Sequence, residues 1–268
     1  VIRAFGQRIE LYLPNDKVIK YPGLNIEFEI NFNAESNGNT GHIRLFNLAD
    51  KTIQKLKKDT TFLLKAGYKG DVGTLLPGII NNCSTRWNGT EKMTEVVIGD
   101  ATKEWLNSTI NRTWRAGIRA SQVAKDLINE LPLEIGDLQI TKDKTYSKGK
   151  TFSTTIQKAL NEIKNDLGLK LHVSRGRVYL RPEGKGTRQI VKLNSETGLI
   201  AIPQVVDDAS AKEEAYKVQS LLNYRIHTDS IVKIESKTIE GLYRVNKGTH
   251  RKSGNDFVTE IEVSKYAS

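Results

Sequence analysis

A single cysteine, Cys83, rules out an internal disulfide framework and any multi-cysteine metal site. It reads as a small buried or half-buried filler. No run of about 18 apolar residues occurs, so no membrane-spanning helix is encoded. No signal peptide is visible at the start, so no secretory leader is expected: Val1-Ile2-Arg3-Ala4 leads straight into a strand-like segment, and the missing initiator methionine suggests a trimmed or recombinant start. Without a leader, the sequons at Asn88, Asn107 and Asn111 carry little meaning. Catalytic signatures are equally scarce. The four histidines (His42, His172, His227, His250) stand apart, none with a second ligand at metal-binding spacing, and each reads as a surface or strand residue. There is no Gly-x-Ser-x-Gly elbow and no glycine-rich dinucleotide fingerprint. Gly184-Lys185-Gly186-Thr187 lacks the leading glycine of a phosphate loop, and no strong helix follows it. Asp207-Asp208 and Glu213-Glu214 lie in a polar connector and read as solvated charge. These absences point away from an enzyme, with no catalytic, cofactor or metal residue expected.

What is present is organised apolar pattern. The apolar fraction is only 38%, which favours several small cores over one large one. Ile26, Phe28, Ile30 and Phe32 alternate with polar residues, the mark of a strand with one wet face. Tyr21-Pro22-Gly23 precedes that strand as a turn, and Asn37-Gly38 after it favours a hairpin. His42 to Leu48 reads as the returning strand. Asp50 then looks like the N-cap of a two-turn helix that buries Ile53 and Leu56. Further strands are expected at Phe62–Ala66, Leu75–Ile80 and Glu95–Ile98.

Near residue 101 the period changes. Val123, Ala124, Leu127, Ile128 and Leu131 keep helical spacing, with Ser121 available as N-cap and Pro132 as terminator. Ile156, Ala159, Leu160, Ile163 and Leu167 mark a second helix closed by Gly168. A hairpin follows, in which Leu169, Leu171 and Val173 alternate, Arg175-Gly176 turns, and Val178 and Leu180 alternate back. The polar stretch 141–150 between the helices is expected to be a mobile loop. Gly184-Lys185-Gly186 reads as a linker, after which strands return around Tyr216–Leu222, Val232–Ile234, Ile239–Val245 and Phe257–Val263, with a turn at Ser253-Gly254-Asn255. The fold class is therefore mainly β with an α+β middle domain: two small β-barrels flanking a helix–hairpin domain. The boundaries fall at 1–100, 101–184 and 185–268. The two outer parts differ in sequence and show no repeat.

The net charge of +10 sits almost wholly in the middle third, where residues 101–200 carry an excess of eight positive charges. Such a block suits a solvated surface, an acidic protein partner or nucleic acid. Trp105, Trp114, Arg112, Arg115 and Arg119 lie near one another there, and arginine-flanked aromatics can stack bases; the plainer reading makes both tryptophans core residues.

Two stretches carry a family resemblance. The first runs through Leu45-Phe46-Asn47-Leu48, Ile53, Leu56, Ala66-Gly67-Tyr68 and Leu76-Pro77-Gly78-Ile79-Ile80. The second is Leu221-Leu222-Asn223, then 231–236, Gly241-Leu242-Tyr243-Arg244-Val245 and His250. In order and spacing they resemble the two barrels of phage tail hub proteins, the late control D-like hubs of contractile tails and of type VI secretion spikes. Asn223 is followed by Tyr224-Arg225, where many relatives carry proline, so the local turn is expected to differ. No appended peptidoglycan hydrolase domain, of the sort some tail-tip proteins carry, is expected from this sequence.

The resemblance implies a structural, non-enzymatic subunit of a virion tail or baseplate, encoded by a phage or prophage and assembled in the host cytoplasm. It implies a homotrimeric ring that joins the tail tube or distal tail protein to a tip or spike and adapts six-fold to three-fold symmetry. A tape-measure contact is possible, no cofactor or membrane is involved, and nucleic acid enters only as a genome passing through a channel. Leu45, Phe46, Ala66, Gly67, Tyr68, Gly78, Leu221, Leu222, Gly241, Tyr243 and His250 are its structural signature residues. Two alternatives differ in class. Nucleic-acid binding by the basic third predicts an affinity that falls steeply as salt rises above about 50 mM in a titration. A wall-directed carbohydrate module using the loop aromatics Tyr21, Trp87 and Tyr146 predicts clearing of a cell-wall suspension.

Overall fold

Alternating apolar residues become strands through most of this chain, so the architecture is best followed from the pairing. The computed structural model describes residues 5–13, 18–33, 39–99, 105, 107–174, 176–182, 190–206 and 214–266. The hairpin residues Asn37-Gly38, the turn residue Arg175, the linker Gly184-Lys185-Gly186, and Asp207-Asp208 with Glu213 lie outside the described residues. The chain is mainly β and divides into two compact units: Val1–Asn33 with Asn39–Gly99 and Gly186–Ser268, and Ala34–Gly38 with Asp100–Lys185.

The N-terminal half of the first unit comprises β1 (Gln7–Tyr12), β2 (Val18–Tyr21), β3 (Ile26–Asn33), β4 (Thr40–Phe46), the one-turn helix α1 (Asp50–Ile53), β5 (Thr61–Tyr68), β6 (Asp71–Asn88) and β7 (Glu91–Gly99). In β3 the expected alternation is strict, with Ile26, Phe28, Ile30 and Phe32 all buried. Two local expectations are corrected. Ala49, in extended conformation, is the N-cap of α1, and Asp50 is its first helical residue, its carboxylate accepting from Lys92 Nζ at 2.7 Å. The helix has one turn rather than two, and Leu56 reaches the core from the turn that follows.

The second unit comprises β8 (Thr109–Trp114), β9 (Ile118–Arg119), α2 (Ala120–Asn129), β10 (Glu134–Leu138), β11 (Thr145–Tyr146), β12 (Lys150–Thr155), α3 (Ile156–Leu167), β13 (Leu169–Ser174) and β14 (Arg177–Pro182). It is α+β. The stripes of both helices and the inner faces of β13 and β14 form one core around Trp105, Leu127, Leu160 and Val173. Thr155 caps α3, its hydroxyl accepting from the Lys158 amide, and Gly168 closes that helix in the left-handed conformation (φ 64°). Ser121 is not a cap. It lies inside α2, whose N-cap is Arg119, and its amide donates to the Asp143 carboxylate at 3.0 Å. The stretch 141–150 is not a featureless loop either: β11 pairs with β9, and Tyr146 is buried. Its hydroxyl donates to Asp166 at 2.6 Å, and burial raises its pKa. β10 runs parallel to β14, a pairing that no hairpin signal could announce.

The C-terminal half of the first unit holds β15 (Ile190–Leu193), β16 (Gln204–Val206), β17 (Ala215–Leu221), β18 (Ile231–Glu235), β19 (Glu240–Ser253) and β20 (Asp256–Lys265). All thirteen strands of the unit form one hydrogen-bonded sheet. Its path runs β16-β17-β20-β19-β3-β4-β7-β6-β5-β1-β2, with β18 on β19 and β15 on β18. Two core clusters serve it, one largely under each half.

The strand order discloses a repeat that the residues do not. In the N-terminal half neighbours run β3-β4-β7-β6-β5-β1; in the C-terminal half they run β16-β17-β20-β19-β18-β15. The last step differs in direction, β15 running parallel to β18 where β1 runs antiparallel to β5. At the long strands the registers agree. β6 shifts against β7 between Ile80 and Asn82, and β19 shifts against β20 between Val245 and Lys247. Asn81 and Asn246 are thus the corresponding bulge residues. The same number of residues then leads to hairpin turns at Gly89 (φ 62°) and Gly254 (φ 54°). Even a side-chain bond recurs: Thr85 and Thr94 hydroxyls lie 3.0 Å apart, where His250 Nδ1 lies 2.8 Å from the Thr259 hydroxyl.

Because Trp105 and Trp114 are both buried in the second unit, tryptophan fluorescence reports its unfolding. Leu160→Ala is expected to cost that unit about 2–5 kcal/mol, read as a lower urea midpoint by fluorescence. Exposed Lys125→Ala is expected to shift it by less than about 0.5 kcal/mol.

Candidate functional site

Among the described residues, no three or more His, Cys, Asp and Glu side chains converge as a metal site would need. The unusual feature of the first unit is instead how its halves are joined. β3 pairs antiparallel with the far part of β19, from Asn33 opposite Lys247 to Phe28 opposite Lys252. Main-chain hydrogen bonds across this seam are reinforced by side chains. The Thr249 hydroxyl donates to Asn31 Oδ1 at 2.7 Å, and the Gly254 amide donates to Glu27 Oε1 at 3.0 Å. Beneath, Phe32 lies 4.8 Å from the His250 ring, and Phe257 meets both Phe28 and Tyr68 edge-on.

A second joint lies at the β5–β6 hairpin. Arg225 donates to both carboxylate oxygens of Asp71 at 2.8 Å, and the Tyr224 hydroxyl adds a third bond at 2.8 Å. The guanidinium stacks on the Tyr224 ring, 4.4 Å from its centre. Gly73 makes room for this ring: a Cβ there would stand 2.0 Å from Tyr224 Cε2. Hydrogen bonding from Arg225, opposed by partial burial, holds the Asp71 carboxyl below its ordinary 3.8. Tyr224 and Arg225 are thus the residues that lock the two halves, at the position where the resembled family often has proline.

The signature residues lie on matching elements of the two halves. Leu45 is buried and Phe46 half-buried at the end of β4; Leu221 and Leu222 occupy the end of β17 and the residue after it. Ala66, Gly67 and Tyr68 close β5, and burial pushes the Tyr68 hydroxyl up to about 12 against an opposing backbone hydrogen bond at Leu222. Gly78 in β6 corresponds to Tyr243 in β19, and Gly241 is the second residue of β19, at φ 137°. His250 is buried on the seam, its Nε2 3.1 Å from the Ile226 carbonyl. His172 is buried too, stacked on Tyr179 in the second unit.

In the aromatic–arginine cluster of the second unit the tryptophans are internal packing, whereas Arg112, Arg115 and Arg119 are exposed. Trp105 and Trp114 are buried, the Trp114 indole donates to Asp126 at 2.8 Å, and Arg112 stacks on Trp114 while pairing with Asp126 at 3.5 Å. Tyr21, Trp87 and Tyr146 lie in strands β2, β6 and β11, not in loops, and only Trp87 is widely exposed.

No protein-family model matches the chain, and no curated protein matches it. Solved structures do. The 43 kDa tail protein of prophage MuSo2 from Shewanella oneidensis aligns over 97% of this chain and 98% of its own, with a TM-score of 0.70 at 9% identity. This chain has the fold of phage tail proteins. A tail protein from Neisseria meningitidis shares that fold over 97% of both chains (TM-score 0.69, 9% identity). A component of the type VI secretion system from E. coli, described as structurally similar to T4 phage tail proteins, shares it over 96% of this chain and 77% of its own (TM-score 0.71, 10% identity). At such identities the tail-protein fold is held by strand order and burial pattern, not by particular residues.

The Asp71 clamp gives a pH signature. A carboxyl depressed in the folded state stabilises above its unfolded value, and that contribution disappears as pH falls through the lowered folded value. Because both partners are part-exposed, Asp71→Asn is expected to cost only about 0.5–1 kcal/mol at pH 7. In urea unfolding, the gap between wild type and variant should close as pH is taken from 5 towards 2.

Proposed function

We propose that the chain is a structural hub subunit of a phage-like tail, baseplate or related injection apparatus, and that it acts by binding rather than catalysis. The observation that carries this reading is likeness along nearly the whole chain, at 97–98% coverage of two tail proteins, one of them from a prophage. Three copies form a ring that joins the tail tube or distal tail protein on one side to a tip or spike on the other. The repeated strand module supports the symmetry matching this requires: two like modules per chain present six in a trimer, so a six-fold neighbour and a three-fold neighbour can both be met. The three-part division at 1–100, 101–184 and 185–268 then corresponds to module, insert and module. The signature residues are the framework of the two modules, and the particle is a virion tail or tail-like assembly.

The insert brings the charge. In the second unit Arg115, Arg119 and Lys125 line one open depression with no carboxylate among its lining residues. An acidic neighbour in the assembly, the tape-measure protein among the candidates, is the partner this surface suits.

Light scattering of the purified chain at micromolar concentration is expected to give the mass of three copies, alone or after mixing with the tube and spike proteins encoded beside it. A single-copy mass under both conditions would overturn the ring.

A further inference from the structure

Each half of the first unit owns the two sides of one joint. The accepting side is the far part of a long strand beyond its bulge, residues 82–88 of β6 or 247–253 of β19. The inserting side is the outer edge of β3 or of its counterpart β16. Inside the chain one pair is used: β3 inserts against β19. The other pair is left over. Beyond Ile80, β6 is paired only with β7, and β16 is paired only with β17, so among the described residues each keeps a free edge.

The side chains carry the mark of the missing neighbour. Registers against the matching strands make Val205 the counterpart of Ile30: Ile30 lies opposite Gly41, Val205 opposite Tyr216, and Gly41 and Tyr216 hold equivalent places beside β7 and β20. Under its seam Ile30 is 1% exposed, whereas Val205 is 61% exposed. On the accepting side, Lys252 is 4% exposed and its counterpart Trp87 is 69% exposed. Three of the seven exposed large apolar side chains among the described residues, Ile200, Ile202 and Val205, fall within residues 200–205, in β16 and the segment leading into it. Unpaired, part-apolar strand edges invite strand addition, and soluble proteins normally cover or charge them.

The geometry points to the occupant: a second copy of this chain, whose β16 adds antiparallel to residues 82–88 of β6, as β3 adds to β19 within one copy. The number of copies rests on the ring reading above; the register does not. Within the chain Thr249, His250 and Arg251 lie opposite Asn31, Ile30 and Glu29. Transferred to the free edges, Ser84, Thr85 and Arg86 lie opposite Val206, Val205 and Gln204 of the next copy. The contact joins two different patches, so it propagates head to tail, and it closes into the ring proposed above when the rotation per copy is one third of a turn.

Cross-linking tests the register. In a Cys83→Ser background, two double variants are made, Thr85→Cys with Val205→Cys and Ser84→Cys with Val206→Cys. Adjacent antiparallel pairs alternate between wide and close side-chain spacing, and the close kind better suits the short Cβ–Cβ separation of a disulfide. Mild oxidation is therefore expected to link one double variant into a ladder ending at three chains, while each single variant and Thr85→Cys with Ile200→Cys stay as single chains. Thr85 and Val205 are exposed, so folding is not at stake in that pair, and circular dichroism verifies it for both. A three-copy mass with no cross-link in either double variant overturns the strand addition and leaves the ring standing. A single-copy mass with no cross-link overturns both.

Discussion

The first unit depends on one ladder of main-chain hydrogen bonds, the pairing of β3 with β19. Everything apolar on the inner faces of the two halves is organised around it. Phe28 and Tyr68 from the N-terminal half meet Phe257 from the other, and Phe32 lies on His250. Backbone pairing at a seam has a particular advantage over side-chain packing. It fixes direction and register while leaving the side chains free to change. That is a physical reason why a fold can survive at about one residue in ten identical. The ladder must be kept, and the residues over it need only remain apolar inside and polar outside.

The Asp71 clamp does a different task. A carboxylate that accepts two bonds from Arg225 and one from Tyr224 is directional, so it fixes the β5–β6 turn against the segment after β17. Its contribution to stability is modest because both partners remain part-exposed.

Much of this was legible in the sequence, and the reasons differ by element. β3, α3 with its Gly168 cap, and the β13–β14 hairpin were readable because their signals are local: strict alternation, a helical stripe, a glycine at a terminus. Parallel β10 and the edge strands β15 and β16 were not, because strands of three to five residues with partners far along the chain leave no local signature. Ser121 and Asp50 failed as caps for a related reason. A side chain from elsewhere, Asp143 or Lys92, satisfied groups that a purely local reading assigned to the helix itself. The repeat was invisible in residues because its conserved content is register; only the paired bulges at Asn81 and Asn246 hint at it. The Tyr224-Arg225 departure was noticed as a difference of turn, and its meaning as a lock needed Asp71, 153 residues away, to come into view.

The seam also has a temporal side. Thr249 and Asn31, bonded across it, are separated by 218 positions, with the whole second unit encoded between them. Local contacts form early and distant ones late. As the chain leaves the ribosome, β3 therefore emerges with its joining edge bare, and β19 arrives only after the inserted unit has been made. During that interval the bare edge of β3 has the same pairing chemistry as the edges of β6 and β16 that are unpaired among the described residues. Synthesis order thus makes self-association and self-completion rivals for one strand. The inserted unit, rich in contacts close in sequence, is the part able to fold meanwhile.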